Sequence, residues 1–169
     1  TGPEIWNQTN HQVDVFITSA GTGGTLAGIS TYLKQVNPNI KCYVADPHGS
    51  SLFHYILSNG QSMSTVGKGT IMEGIGINRI TNNFKAAQLD GAVSVSDQEA
   101  VDMAYYLLKT EGLYIGPSAA LNVAAATKMA LREKNSGKTI VTILCDGGER
   151  NASKLYNLQW LESNNLTPK

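Results

Sequence analysis

Apolar residues along this chain fall into two kinds of run. Short blocks rich in β-branched residues alternate with longer stretches in which apolar positions return every three or four places. The first kind reads as buried strand, the second as helix laid on a sheet. VDVFI (13–17) is the first strand, bounded by a Ser/Gly turn. Leu26, Ile29, Leu33 and Val36 then recur near helical spacing, and Pro38 closes that helix. IKCYVAD (40–46) is a second strand, ended by the turn-forming DPHGS.

Residues 47–80 are less regular. SLFHYIL suits a short helix, whereas GKGTIMEGIGIN holds too many glycines for a regular element. A connection of this length is often functional. AVSV is a short strand, and Ser96 with Glu99 three places on forms a capping box. That helix runs to about Gly112. Pro117 opens an alanine-rich helix that Gly137 stops. TIVTILCD (139–146) is the most strongly patterned strand, DGGER is a turn, and 152–163 reads as a last helix. Strands alternate with helices throughout, with no repeat and no linker. The expectation is one α/β domain over 1–169, a mainly parallel sheet flanked by helices.

Composition narrows the function classes. Hydrophobic residues make up 41% and charged residues 15%, a globular balance. Lys plus Arg equals Asp plus Glu at 13, and no basic run is interleaved with aromatics. A nucleic-acid partner is therefore not expected. No segment is long and apolar enough to cross a membrane as a helix. Cys42 and Cys145 sit in apolar runs with no CxxC. They fit buried strand thiols in a reducing compartment, cytoplasmic or mitochondrial. His11, His48 and His54 show no metal-ligand spacing, so no metal is expected. The chain opens TGPEIW, with neither Met nor leader, and reads as the interior of a longer protein.

The candidate chemistry lies in TSAGTGGTLAG (18–28). A strand, a glycine-rich turn and a helix start make an anion cradle, because first-turn amides and the helix dipole both attract negative charge. Gly21, Gly23 and Gly24 let a ligand approach the backbone, and Thr22 and Thr25 add hydroxyls. No Lys follows the glycines, so this is not a P-loop. A dinucleotide fingerprint would need glycine at 26, which is Leu, and only Asp46 is placed as a ribose ligand. The same turn also serves as a plain tight connection with no ligand.

Four stretches, GTGGT (21–25), EGIGINRI (73–80), GPSAAL (116–121) and ILCDGGER (143–150), together with TGPEI, resemble the cysteine synthase and cystathionine β-synthase family. Fungal cysteine-synthase-like proteins look most similar. These are pyridoxal-phosphate enzymes of the tryptophan-synthase-like fold type II. The resemblance implies that the chain is the larger domain, in the C-terminal part of a two-domain enzyme. It implies that Gly21, Thr22, Gly23, Gly24 and Thr25 hold the phosphate of pyridoxal 5'-phosphate. Ser118 would bond the pyridine nitrogen, and Gly74 and Gly76 would leave room on the substrate side. The implied reaction is β-replacement on an activated serine of the O-acetylserine type, with sulfide or a thiol. A homodimer is implied as well.

The chain departs from the family in places. Ala120 stands where a glycine is usual, and Gly147 where relatives often carry serine beside Asp146. The Ala120 methyl is expected to crowd the ring or the turn. No S-x-K-x-R-like stretch surrounds any lysine, so the Schiff-base lysine is missing and no catalytic residue is assigned here. The substrate-gripping T-S-G-N-like turn is also absent. Against the enzyme stands a second reading, a truncated, non-catalytic domain that binds a phosphate ligand or a partner protein.

Overall fold

The computed structural model describes residues 1–67, 69–132 and 137–169. Among these, β1 (Val15–Ser19), β2 (Lys41–Pro47), β3 (Gly91–Val95) and β4 (Ile140–Val141) form one parallel sheet in the order β3-β2-β1-β4. Val15 lies opposite Lys41 on one side and Ile140 on the other. The chain steps outward from β1 to β3, then returns to place β4 on the other side of β1. Strand order therefore reverses between β1 and β4, and in open α/β sheets ligands bind beyond the strand ends at such a point.

Strand alternation sorts the core onto two faces. Phe16, Cys42 and Val44 point to one face and meet Leu26, Ile29 and Leu33 of α2 (Gly24–Val36) and Phe84 of α4 (Asn82–Ala86). Val15, Ile17, Ala45, Val93 and Val95 point to the other, under Leu121, Ala124 and Met129 of α6 (Pro117–Arg132). On that face α5 (Asp97–Tyr106) runs beside α6 and ends in a π turn, Leu107–Glu111. The Ser96–Glu99 capping box is formed, with Glu99 Oε2 accepting the Ser96 amide at 2.8 Å. Leu155 and Leu161 of the C-terminal segment close over α5 and α6.

The pattern misses two short helices, α1 (Gly2–Gln8) and α4, which are too brief to show a period. SLFHYIL forms α3 (Leu52–Leu57). The last helix is shorter than expected. A 3-10 turn (Glu149–Asn151) and a run of turns precede α7 (Leu158–Ser163), because the Asn157 side chain accepts the Gln159 and Trp160 amides and starts the helix there. The stop expected at Gly137 follows residues outside the described ones.

The larger correction is TIVTILCD. Only Ile140–Val141 is strand. Beyond Val141 the rungs to β1 go to side chains instead. Thr142 Oγ1 donates to the Ile17 carbonyl at 2.6 Å, and Asn122 of α6 takes the next places. Cys145 is accordingly exposed, not a buried strand thiol, while Cys42 is fully buried as expected.

Candidate active site

β1 delivers Thr18 and Ser19, both buried, to a loop that turns at Gly23 into α2. Gly23 has φ +85°, the left-handed region, and a Cβ there would lie 2.8 Å from the Phe84 backbone. Glycine is therefore required on both counts. Behind the loop Thr81 Oγ1 donates to the Thr22 carbonyl at 2.6 Å and accepts the Phe84 amide at 3.1 Å. One hydroxyl thus fixes the loop and starts α4. Among the described residues no side chain caps α2, and no acid sits in its first turn. Its leading amides have no intrahelical partner, and the helix itself places no negative charge at the positive end of its dipole.

That helix start opens on a cleft of about 440 Å³ at the β1/β4 divergence. One side is continuous chain, Thr18 through Leu26. The other side is assembled from Glu73, Gly74 and Ile75, from Ser118 at the start of α6, and from Ile143 and Cys145. A Cβ on Gly21 would overlap the Gly74 carbonyl oxygen, so the two sides touch where neither has a side chain. Ser118 Oγ donates to Asp146 Oδ1 at 3.4 Å, a long bond that leaves the hydroxyl able to turn toward a ligand. A Cβ on Gly116 would overlap the same carboxylate. Gly116 also donates its amide to the Asp146 carbonyl at 3.0 Å.

Seven of the eight candidate residues, Gly21, Thr22, Gly23, Gly24, Thr25, Gly74 and Ser118, meet at this cleft. Gly76 does not. It is turned away against Thr70 and Pro47, where a Cβ would lie 2.8 Å from Thr70 Cγ2. The Ala120 methyl is buried in the cluster under Leu155 and Leu161, away from the cleft, and does not crowd it. Gly147 makes a backbone bridge to Ile115, and a Cβ there would overlap the Glu149 carboxylate.

The loop carrying Gly74 is held from outside the cleft. The Ile77 carbonyl accepts Ser50 Oγ at 3.1 Å and both the amide and Oγ of Ser51 at 3.4 Å. Asp46, fully buried at the end of β2, orders that turn by accepting the Phe53 amide at 2.7 Å. Burial pushes the Asp46 carboxyl up from 3.8 to about 6, against the nearby Ser50 hydroxyl and the Phe53 amide, which pull it down. Its Oδ1 has no partner among the described residues. At the cleft mouth Lys154 pairs with Glu73. Asp97 holds the near end of the loop, accepting Thr70 Oγ1 at 2.5 Å and the Ile71 amide at 2.8 Å.

Known proteins resemble this chain over nearly its whole length. The model of the family described as pyridoxal-phosphate dependent enzyme matches residues 1–146. The chain belongs to that family. Its cofactor is pyridoxal phosphate. Over 98% of its length the chain is 47% identical to a cysteine synthase of Dictyostelium discoideum, and 48% identical to cysteine synthase 1 of Emericella nidulans. It covers 46% and 45% of those proteins, so it spans less than half the length of the relatives it matches. The crystal structure of an O-acetylserine dependent cystathionine beta-synthase from Helicobacter pylori superposes with a TM-score of 0.78 at 33% identity, over 90% of this chain and 46% of that one. The sheet and helices are thus those of the larger domain of fold type II pyridoxal-phosphate enzymes, as the resemblance implied.

The cleft fits the family's cofactor. An uncapped helix start and a cradle that a Cβ would fill suit a phosphate ester, and 440 Å³ lies within the range of small-cofactor sites. Among the described residues no lysine or arginine lines the cleft. The groups that the lining offers a phosphate are amides, hydroxyls and the helix dipole. Sequence reasoning overlooked Asn122, whose signal was a single carboxamide in an alanine-rich helix, one turn beyond Ser118.

Proposed function

We propose that the protein carrying this chain is a pyridoxal-phosphate β-replacement enzyme. It joins an activated serine of the O-acetylserine type to sulfide or a thiol, giving cysteine or a related thioether amino acid. The chain is a single α/β domain forming the C-terminal part of a longer two-domain enzyme. The observation that carries the reading is the uncapped α2 start facing Ser118 across one cleft, in a chain 45–48% identical to cysteine synthases.

When bound, pyridoxal phosphate draws electrons from the α-carbon of an amino acid and so lets a β-substituent leave. The residues of this chain bind and orient. Gly21, Thr22, Gly23, Gly24 and Thr25 cradle the phosphate with backbone amides and two hydroxyls. Ser118 offers a neutral hydroxyl to the ring nitrogen, which keeps that nitrogen largely unprotonated and suits β-replacement. Gly74 keeps side chains off the substrate side, and the Gly76 turn shapes the loop behind it. No lysine of the chain lies in an S-x-K-x-R-like stretch, and on that ground the lysine that binds the cofactor is assigned to another part of the protein. A homodimer is proposed, with small-molecule substrates as its partners. One buried and one exposed free thiol suit a reducing cytosol or mitochondrion.

The test uses the whole protein. After borohydride reduction, mass spectrometry is expected to find a cofactor adduct on a lysine outside this chain. O-acetylserine with sulfide is expected to yield cysteine. A protein that binds the cofactor but forms neither cysteine nor a thioether would favour the non-catalytic reading.

A further inference from the structure

We infer that Asn122 is a positioning residue that sets the spacing between the two walls of the cleft. The inference rests on the reading of that cleft as the pyridoxal-phosphate site. Asn122 is fully buried in α6 and does not itself line the cleft. The partners of its side chain among the described residues do. Asn122 Oδ1 accepts the Ser19 amide at 2.7 Å. The two hydrogens of Asn122 Nδ2 are shared among Thr18 Oγ1 at 3.1 Å, the Ile143 carbonyl at 2.9 Å and Cys145 Sγ at 3.4 Å. Thr18 and Ser19 lead into the glycine loop, while Ile143 and Cys145 form the opposite wall.

The location explains why a cleft exists. β1 and β4 pair directly only at Val15–Ile140 and Phe16–Val141. Paired strands run roughly 4.8 Å apart, and continued pairing would close the floor of the cleft. The Asn122 carboxamide is instead inserted between the strands. It satisfies the buried Ser19 donor, which would otherwise be orphaned, and the half-buried Ile143 acceptor. The strands can therefore part without leaving unpaired backbone. Asn122 also lies one helical turn past Ser118, so the same bonds fix how α6 is rotated and where the Ser118 hydroxyl stands. A phosphate cradle and a ring partner on separate elements are useful only at one fixed separation.

The test uses the whole protein, freed of cofactor and titrated with pyridoxal phosphate. Asn122→Asp keeps the size and the acceptor for Ser19 but turns an oxygen toward the Ile143 carbonyl. The dissociation constant is expected to rise about tenfold, the effect typical of losing an orienting outer partner. The cofactor's absorption band is expected to broaden, because Ser118 no longer meets the ring at one angle. A fall in Tm with a dissociation constant changed less than about twofold and an unaltered band would make Asn122 a core bond only and overturn the inference.

If the variant does not fold, the wild type decides. By reciprocity, a ligand that needs this network must also tighten it. Hydrogen exchange in the peptide spanning residues 15–20 is expected to slow on cofactor binding by more than in the peptide spanning 41–46. Equal slowing of the two would overturn the inference. A wild-type protein that takes up no pyridoxal phosphate would instead overturn the reading of the cleft itself, and this inference with it.

Discussion

The two walls of the cleft are built in opposite ways. Residues 18–26 form one wall from a single stretch of chain, shaped by the backbone of β1, the Gly23 turn and the start of α2. The facing wall comes from three stretches, at 73–75, 118 and 143–145, and side chains hold it together. Asn122, the Ser118–Asp146 bond, the Glu73–Lys154 pair and the hydroxyls on the Ile77 carbonyl each join residues far apart in sequence. A backbone-built wall is rigid and fails when φ is denied to it. A side-chain-built wall is adjustable and fails one bond at a time. The first suits an invariant group such as a phosphate, and the second suits positioning of a ring and a substrate.

The contrast can be broken most sharply at Gly23. Gly23→Ala forces a Cβ into the left-handed region and against the Phe84 backbone. A loss of roughly 3 kcal/mol in urea unfolding is expected, together with loss of cofactor binding. If stability and binding were unchanged, the nest would not depend on its backbone.

Asp46 tests the support of the facing wall. Its carboxyl lies at about 6 in the folded chain against 3.8 ordinarily, chiefly through burial. Between about pH 4 and 6 the folded protein keeps a proton that the unfolded chain has released. Stability is therefore expected to fall as pH rises through that window and then level off, by on the order of 3 kcal/mol in all. Asp46→Asn is expected to flatten this slope, as read by unfolding at several pH values. A slope that survives the substitution would locate its origin elsewhere.

Smaller effects separate individual bonds of that wall. Gly116→Ala pushes the Asp146 carboxylate off Ser118 and is expected to destabilise by about 1–2 kcal/mol. The cofactor spectrum should change with it, and an unchanged spectrum would separate Asp146 from the ring. Least of all, Lys154→Met breaks an exposed pair with Glu73, at side-chain exposures of 45% and 64%. A change below about 1 kcal/mol is expected, vanishing at high salt.

Legibility in the sequence follows the same division. The strand, glycine loop and α2 were readable because their chemistry is local: β-branched run, left-handed glycine, apolar spacing. So was the α5 start, since a capping box spans only three residues. TIVTILCD has a strand's composition, yet it pairs over two residues because a side chain from α6 displaces the ladder. Cys145 was misplaced for the same reason, its exposure being decided by a helix 23 residues earlier.

By itself, the sequence determined the alternation of strands and helices, the parallel sheet they imply and the glycine turn at 21–25 that leads into α2. Each rests on neighbours in the chain, whose geometry is fixed by propensity, period and backbone sterics. Only the tertiary structure decided where the sheet stops pairing, which of Gly74 and Gly76 faces the cleft, and that Ala120 turns into the core. Those outcomes depend on which distant side chain reaches a given backbone group first, and local pattern carries no record of that competition.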